Sequence, residues 1–523
     1  MASVSRLIHD LGESRGDATA LITLSYEEPS RSYRRQRQVT YRQLYESALR
    51  LADALRGRGL VRGDRLAVLL DNSPEMIVSE WACLLAGYVW VALNARSSPS
   101  EHAQILLDSE PRLLVVSSRY ARRIDHQQLP RGCGVVGDGA EWEALLASGR
   151  PVQPPFEPGP EDPVRLRYTS GTAGRPKGAV LPRRCYDASV ETVSAVIGPI
   201  RQDDVLAQIA PMTHAAGAMW LPHAAAGARA LLADRFDEHA LVDLVARESV
   251  TAVFLVPTML VRFLEAAIEP QRLRSLRTIV YGGASMPADR LRRGLELLGP
   301  VFIQIYGLTE SNWPAIALTR SEHVVTGSEE QRMRRLSSCG RATPVGEVRI
   351  VDEGGNDVPD QIAGEILLRG RNTMSGYWRA AGADAKGLDA EGWMHTGDVA
   401  VRDRDGFITI VDRLHDMIVT GGFNVYPREV EDALSSHPAV LESAVVGRPD
   451  PVWGERVHAA VVLREGSIAS EEELAAHVER CTAAYKKPRS FEFVRELPRN
   501  AAGKVLRREL KRAKPPHQGA GAS

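Results

Sequence analysis

The chain has 523 residues, 44% hydrophobic and 25% charged, with a formal net charge of -1. It is too long for one ordinary core, so a large multi-lobed body and at least one further domain are expected, and the charge balance argues against nucleic acid or another polyionic partner. The scattered cysteines form no C-x-x-C pair or His/Cys cluster at metal-ligand spacing, the N-terminus lacks an apolar leader, and no apolar run reaches about 18 residues, which reads as a cytoplasmic protein with no membrane span.

Thr40 and Gln43 make a capping-box pattern, and Leu44, Ala48, Leu51 and Leu55 follow at helical spacing until Gly57 and Gly59 end the helix. The apolar run 65–70, a helix opened by Ser73-Pro74 and reaching Gly87, and the run 88–93 continue a β-α-β rhythm. That rhythm predicts a mostly parallel sheet covered by helices. Residues 149–163 are Pro-rich and predict a surface connection into 164–168, where apolar residues alternate as in a half-buried strand. A second α/β stretch spans 202–318, with buried strands predicted at 252–256, 278–281 and 302–306. Short strands at 347–351, 364–368 and 406–411 follow Cys339. The C-terminal part restarts a smaller unit: helix 428–434, strands 442–446 and 457–463, helix 471–481 and strand 490–494. The tail 515–523 is predicted disordered.

The strongest chemical signal is Tyr168–Gly178 (YTSGTAGRPKG). Gly171, Gly174 and Gly178 let backbone amides approach phosphate oxygens, Thr169, Ser170 and Thr172 add hydroxyl donors, and Lys177 adds a positive charge. The Walker A spacing is absent, because Lys177 follows Pro176, so this is a phosphate loop of another kind.

The loop resembles the signature of the adenylate-forming superfamily, which holds acyl-CoA synthetases, aryl acid ligases, peptide-synthetase adenylation domains and beetle luciferase. Further motifs similar to that family's appear in its order over residues 40–510, and the chain looks most like the acyl-CoA synthetases. Residues 281–285 (YGGAS) resemble the adenine-binding turn, which implies Gly282, Gly283 and Ala284 beside the base. Residues 306–310 (YGLTE) match the next motif, implying Tyr306 and Gly307 at the site, Thr309 on phosphate and Glu310 on Mg²⁺. Residues 392–398 (GWMHTGD) and Arg413 resemble the ribose-holding motifs, through Asp398 and Arg413. Residues 498–504 (PRNAAGK) resemble the segment carrying the adenylation lysine, Lys504, and 421–427 (GGFNVYP) the loop lining the pantetheine tunnel at Gly421 and Gly422. Ala173 and Ala502 depart from the usual Thr and Ser or Thr, and His415 stands at the hinge position usually filled by Asp or Lys.

The resemblance implies an α/β fold: a large multi-lobed N-terminal domain, 1–412, with parallel-rich sheets covered by helices and a distorted β-barrel lobe, a hinge at 413–416, and a small mobile α+β domain, 417–514. It implies ATP, Mg²⁺ and coenzyme A, and two half-reactions, acyl-AMP formation and then acyl transfer to a thiol, exchanged by rotation about His415. For the acid, 211–220 (PMTHAAGAMW) is the informative stretch: no acidic residue occurs from Pro211 to Ala233, which disfavours an amino acid. The resemblance implies that His214 abuts the acyl carboxylate or closes the pocket, and with Trp220, Met259, Gly282, Gly307 and Trp313 it makes the expected pocket for an aryl, alicyclic or medium-chain acid. Free CoA and a carrier-protein phosphopantetheine arm both remain open as acceptor.

Overall fold

The computed structural model describes residues 3–154, 157–169, 176–266, 269–312, 314–380, 387–414, 416–420, 423–499 and 505–512. The chain divides into two compact units, one of Met1–Arg349, Leu367–Thr396 and Asp405–Ile408, the other of Ile350–Ile366, Gly397–Arg404 and Thr409–Ser523.

The first unit holds two sheets. In the larger, nine strands run in the order Arg341–Ala342, Ile316–Leu318, Phe302–Tyr306, Thr278–Gly282, Ala252–Leu255, Val205–Gln208, Arg229–Leu232, Thr19–Glu27 and Ser32–Thr40. Every pairing from Phe302–Tyr306 through to Thr19–Glu27 is parallel. In the smaller, six strands run Gly134–Gly137, Leu113–Val116, Arg65–Leu69, Val89–Ala92, Pro163–Thr169 and Lys177–Pro182, and only the last pair is antiparallel.

Helices from both β-α-β series pack in one shared core. Helix Tyr41–Gly57 starts at the predicted box, with Thr40 accepting from the Gln43 amide and Gln43 from that of Thr40, and buries Leu44, Ala48, Leu51 and Leu55. Helix Pro74–Ala86 is buried almost all round, which is why it reads as uniformly apolar. Trp220 lies at the centre of this core, 0% exposed, stacked on Tyr41 at 6.3 Å and Trp81 at 6.4 Å between ring centroids.

In the second unit, strands Phe423–Val425, Ile418–Thr420, Gly454–Leu463 and Val440–Asp450 lie side by side, and Ser490–Phe493 pairs in parallel with Gly454–Leu463. Helices Pro427–Ser435 and Glu471–Cys481 contribute Val430, Leu434, Leu474 and Val478 to the core on one face. On the other, Leu510 of helix Arg507–Arg512 packs with Val446 and Val462. The lobe expected as a distorted barrel is built on a four-stranded sheet, Gly346–Val351, Ala363–Gly370, Met394–Arg402 and Ile408–Arg413. Among the described residues no helix is long and apolar enough to cross a membrane.

Candidate active site

The parallel register of the larger sheet brings together motifs far apart in sequence. Gly282 pairs with Ile305, so 282–284 and 306–310 leave adjacent strands at the same edge. Strands Val205–Gln208 and Ala252–Leu255 are parallel to these, so the segments carrying His214 and Met259 leave at that edge too. Ligands of open α/β sheets bind beyond the carboxyl ends of the strands. A Cβ on Gly282 would meet the Ile305 carbonyl oxygen at 2.3 Å, so only glycine permits this approach. Gly283 has φ +85 and open space where a Cβ would project, and Ala284 beside it is exposed, leaving bare backbone for a flat group.

The expected phosphate loop lies between the arms of a hairpin in sequence. Thr169 pairs with Lys177 and Tyr168 with Gly178, and a Cβ on Gly178 would strike the Tyr168 ring at 2.9 Å. Tyr168 donates to Asp108 at 2.5 Å. Against the outgoing arm lies 374–378: Ser375 N donates to Val180 O, Val180 N to Gly376 O and Trp378 N to Gly178 O, at 2.7 to 3.0 Å. That segment reaches the third motif twice, since Met374 N donates to Glu310 O at 2.8 Å and Tyr377 Oη to Glu310 Oε1 at 2.9 Å.

A narrow apolar crevice opens in the same unit. Helix Arg183–Ile197 gives it Val193, Val196 and Ile197, the 3₁₀ turn Ala215–Met219 gives Ala215, Ala218 and Met219, and Val280, Ile305 and Pro314 complete the lining. The expected stretch 211–220 therefore contributes, but through other side chains. Trp220 is a core residue, because the turn at 215–219 rotates it away toward Tyr41 and Trp81. Met259 is partly buried between the two cores of the unit and is absent from the lining. His214 sits at the start of the turn with Nδ1 2.8 Å from Thr213 Oγ1. Asn72, which no motif flagged, fixes the approach to this turn: its Nδ2 faces the carbonyls of Gln208, Ala210 and Ala233, and its Oδ1 accepts from Met212 N at 2.9 Å.

In the second unit, Arg413 Nε lies 3.0 Å from Asp398 Oδ1, so the two residues expected at ribose form one ion pair. Asp398 is buried, Arg413 half exposed. Gly397, at φ +67, donates its N–H to Glu365 at 2.9 Å and takes one from Leu414 N at 2.8 Å, which ties the two motifs together. The expectations for Ser170, Gly171, Thr172, Gly174, Trp313, His415, Gly421, Gly422, Lys504 and the tail 515–523 fall outside the described residues. The borders of the Lys504 segment are described: Arg499 and Val505 form an antiparallel bridge, and Leu506 N donates to Pro498 O at 2.7 Å.

Residues 10–378 match the AMP-binding enzyme family, and 429–504 match the AMP-binding enzyme C-terminal domain. The chain belongs to the AMP-binding enzyme family. Within the adenylate-forming superfamily it stands close to the acyl-CoA synthetases, as an ATP-dependent, AMP-forming acid:CoA ligase. It is 38% identical over 485 residues to a feruloyl-CoA synthase of Amycolatopsis sp, covering 91% of this chain and 94% of that one. It is 35% identical to a fatty acid–[acyl-carrier-protein] ligase of Streptomyces coeruleorubidus, with 91% of each covered. Among solved structures, o-succinylbenzoate CoA synthetase from Bacillus subtilis in complex with its acyl-adenylate superimposes with a TM-score of 0.83 at 29% identity, covering 97% of this chain and 98% of that one.

One carboxyl beside the expected ribose motif of this AMP-binding enzyme is tuned by its surroundings. Asp412 accepts from the amides of Arg413 and Arg428, at 2.6 and 2.9 Å, yet burial pushes its pKa up to about 6. A raised carboxyl pKa means the folded state holds the proton more tightly than the unfolded chain. The resulting stabilisation is complete below the unfolded value of about 3.9 and is lost as pH rises through about 6. Relative to Asp412→Asn, the wild type should therefore lose on the order of 2 kcal/mol between about pH 4 and about pH 7. Chemical denaturation of both full chains across that range measures it, and parallel pH profiles would contradict it.

Proposed function

We propose that this acid:CoA ligase activates an aromatic or compact alicyclic carboxylic acid. The observation that carries the reading is the cavity at the carboxyl edge of the sheet: narrow, lined only by Val, Ile, Ala, Met and Pro, and without a charged side chain to meet a second polar group. Support comes from the relatives named for feruloyl and o-succinylbenzoyl groups, both aromatic.

In the first half-reaction a carboxylate oxygen attacks the α-phosphorus of ATP and the bond to pyrophosphate breaks. Thr169, Ser170, Gly171, Thr172, Gly174, Lys177 and Thr309 hold the phosphates, Gly282, Gly283 and Ala284 the adenine, and Asp398 with Arg413 the ribose. Tyr306 and Gly307 shape the site, and His214 stands near the acyl carboxylate. Glu310 is a fitting ligand for Mg²⁺: hard Mg²⁺ takes one or two carboxylates plus phosphate oxygens, and no hydrogen bond among the described residues engages its Oε2. Bound Mg²⁺ would neutralise charge on the phosphates. Lys504 supplies the charge for departing pyrophosphate. In the second half-reaction the thiol sulfur attacks the acyl carbon, AMP leaves, and Gly421 and Gly422 admit the pantetheine, with His415 as the hinge. The acceptor thiol is that of CoA; the carrier-protein relative makes a phosphopantetheine arm the comparison to run beside it.

The test is pyrophosphate release across benzoate-, cinnamate- and cyclohexane-type acids and a fatty acid series, each with CoA and with carrier protein. The expected result is the highest kcat/KM on a single-ring acid, and a maximum on a long-chain fatty acid would overturn it. Ala218→Leu should raise KM for the preferred acid roughly tenfold or more by overfilling the cavity, while KM for ATP stays unchanged.

A further inference from the structure

The reading of Glu310 as Mg²⁺ ligand leaves open what holds its carboxylate still. A glutamate within a short 3₁₀ turn, Thr309–Ser311, has three rotatable bonds and a partly exposed side chain. Left alone it would sample many positions before a metal arrived, and ordering it would weaken metal binding.

The segment 374–378 answers this through Tyr377. Its backbone is fixed by the three bonds to the outgoing arm of the phosphate hairpin and by the bond from Met374 N to Glu310 O. Trp378 anchors it further, with Nε1 donating to Asp108 O at 3.1 Å. Gly387 lies close against the ring, where a Cβ would meet it at 2.6 Å. From this seat the hydroxyl donates to Oε1 of Glu310 at 2.9 Å, which occupies one carboxylate oxygen and presents the other. The same ring lies 5.3 Å from Lys177 Nζ, a cation–π distance. Lys177 is exposed and makes no ion pair among the described residues, so its charge stays available beside the loop. One side chain thus touches both the candidate metal ligand and the candidate phosphate cation.

We propose that Tyr377 is a positioning residue that sets Glu310 for monodentate coordination of the nucleotide-bound divalent cation and, through its ring, seats Lys177 next to it. The proposal rests on the Glu310 reading above. It assigns the two contacts to separable parts of the side chain. Tyr377→Phe removes the hydrogen bond and keeps the ring; Tyr377→Leu removes both.

The experiment compares wild type, Tyr377→Phe, Tyr377→Leu and Glu310→Gln as full chains. It measures Mn²⁺ binding to the enzyme–ATP complex by electron paramagnetic resonance, Mg²⁺ dependence of ATP–pyrophosphate exchange, and CoA transfer to preformed acyl-AMP. For Tyr377→Phe, the half-saturating metal concentration should rise roughly tenfold, the loss of one hydrogen bond to a charged group. KM for ATP at saturating metal and the CoA transfer rate should stay within about twofold. For Tyr377→Leu, KM for ATP should rise in addition, by roughly threefold to tenfold. Unchanged metal dependence in Tyr377→Phe, with a weakened metal in Glu310→Gln, overturns this inference alone. Unchanged metal dependence in both overturns the Glu310 reading with it. Equal losses in both half-reactions of Tyr377→Phe, with lowered thermal stability, would make Tyr377 a packing residue and overturn the inference as well.

Discussion

Lys504→Ala should reduce acyl-AMP formation by about two to three orders of magnitude while leaving CoA transfer to preformed acyl-AMP within a few-fold of wild type. The magnitude follows from the proposed role, the loss of one positive charge where negative charge develops as pyrophosphate departs. The asymmetry is the sharper part. The segment's borders are tied down independently of the lysine: Arg499 bridges Val505 and pairs with Glu442 at 2.7 Å, and Arg507 pairs with Glu431. Truncating a side chain between these borders removes a charge and leaves the borders' own bonds in place, so a defect confined to one half-reaction is expected. ATP–pyrophosphate exchange measures the first step and CoA-dependent release of AMP from synthetic acyl-AMP the second. Equal loss in both would show that Lys504 does not serve adenylation selectively.

Local elements were legible where periodicity and caps agree. The helix after Thr40 begins at its predicted box, and 252–256, 278–281 and 302–306 are strands to within a residue or so. Strand Ser32–Thr40 escaped because five consecutive residues in it are exposed; it is an antiparallel edge held by its main chain and by pairs such as Arg35 with Glu248. Residues 394–402 are covered by no predicted strand, yet they form a continuous one in which Gly397 takes positive φ. The motifs announced the candidate site's backbone, but no spacing reveals that Gly282 stands opposite Ile305, or that 374–378 lies against 178–180. Nor does composition show which side of a 3₁₀ turn faces a cavity, which is how Trp220 was expected where Ala215, Ala218 and Met219 are found. Strand 163–169 is the most instructive difference. Its alternation implied one apolar and one solvated face, yet Arg165 and Arg167 are 3% and 9% exposed.

Those arginines carry the second large effect. Glu80→Gln should destabilise the full chain by about 3–5 kcal/mol, the cost of leaving buried charge uncompensated. Glu80 faces two guanidiniums on one strand face. Arg165 lies 3.4 Å from its Oε1 and also bonds the Tyr186 hydroxyl at 3.1 Å and Thr213 O at 3.0 Å, with its guanidinium over Trp90 at 4.5 Å. Tyr186 donates to the same Glu80 oxygen at 2.8 Å. Arg167 has no hydrogen-bond or ion-pair partner among the described residues; burial, then the neighbouring Arg165 charge, lowers its pKa to about 9. Burial raises the Glu80 pKa, and Arg165, the Tyr186 hydroxyl and Arg167 oppose that rise. The cluster therefore holds two buried cations to one carboxylate, and neutralising Glu80 leaves both unbalanced. The charge count orders the variants. Arg165→Met should cost less than Glu80→Gln, because Arg167 remains to balance the carboxylate, and Arg167→Met placed on the Glu80→Gln background should restore part of the loss. Denaturant unfolding of the single and double variants at neutral pH measures that order. If Glu80→Gln falls within about 1 kcal/mol of wild type, the carboxyl is already neutral in the fold and the two arginines are held by other means. The result bears on the candidate site directly, since strand 163–169 ends at Thr169, where the candidate phosphate loop begins, and Arg165 ties that strand to the residue before His214.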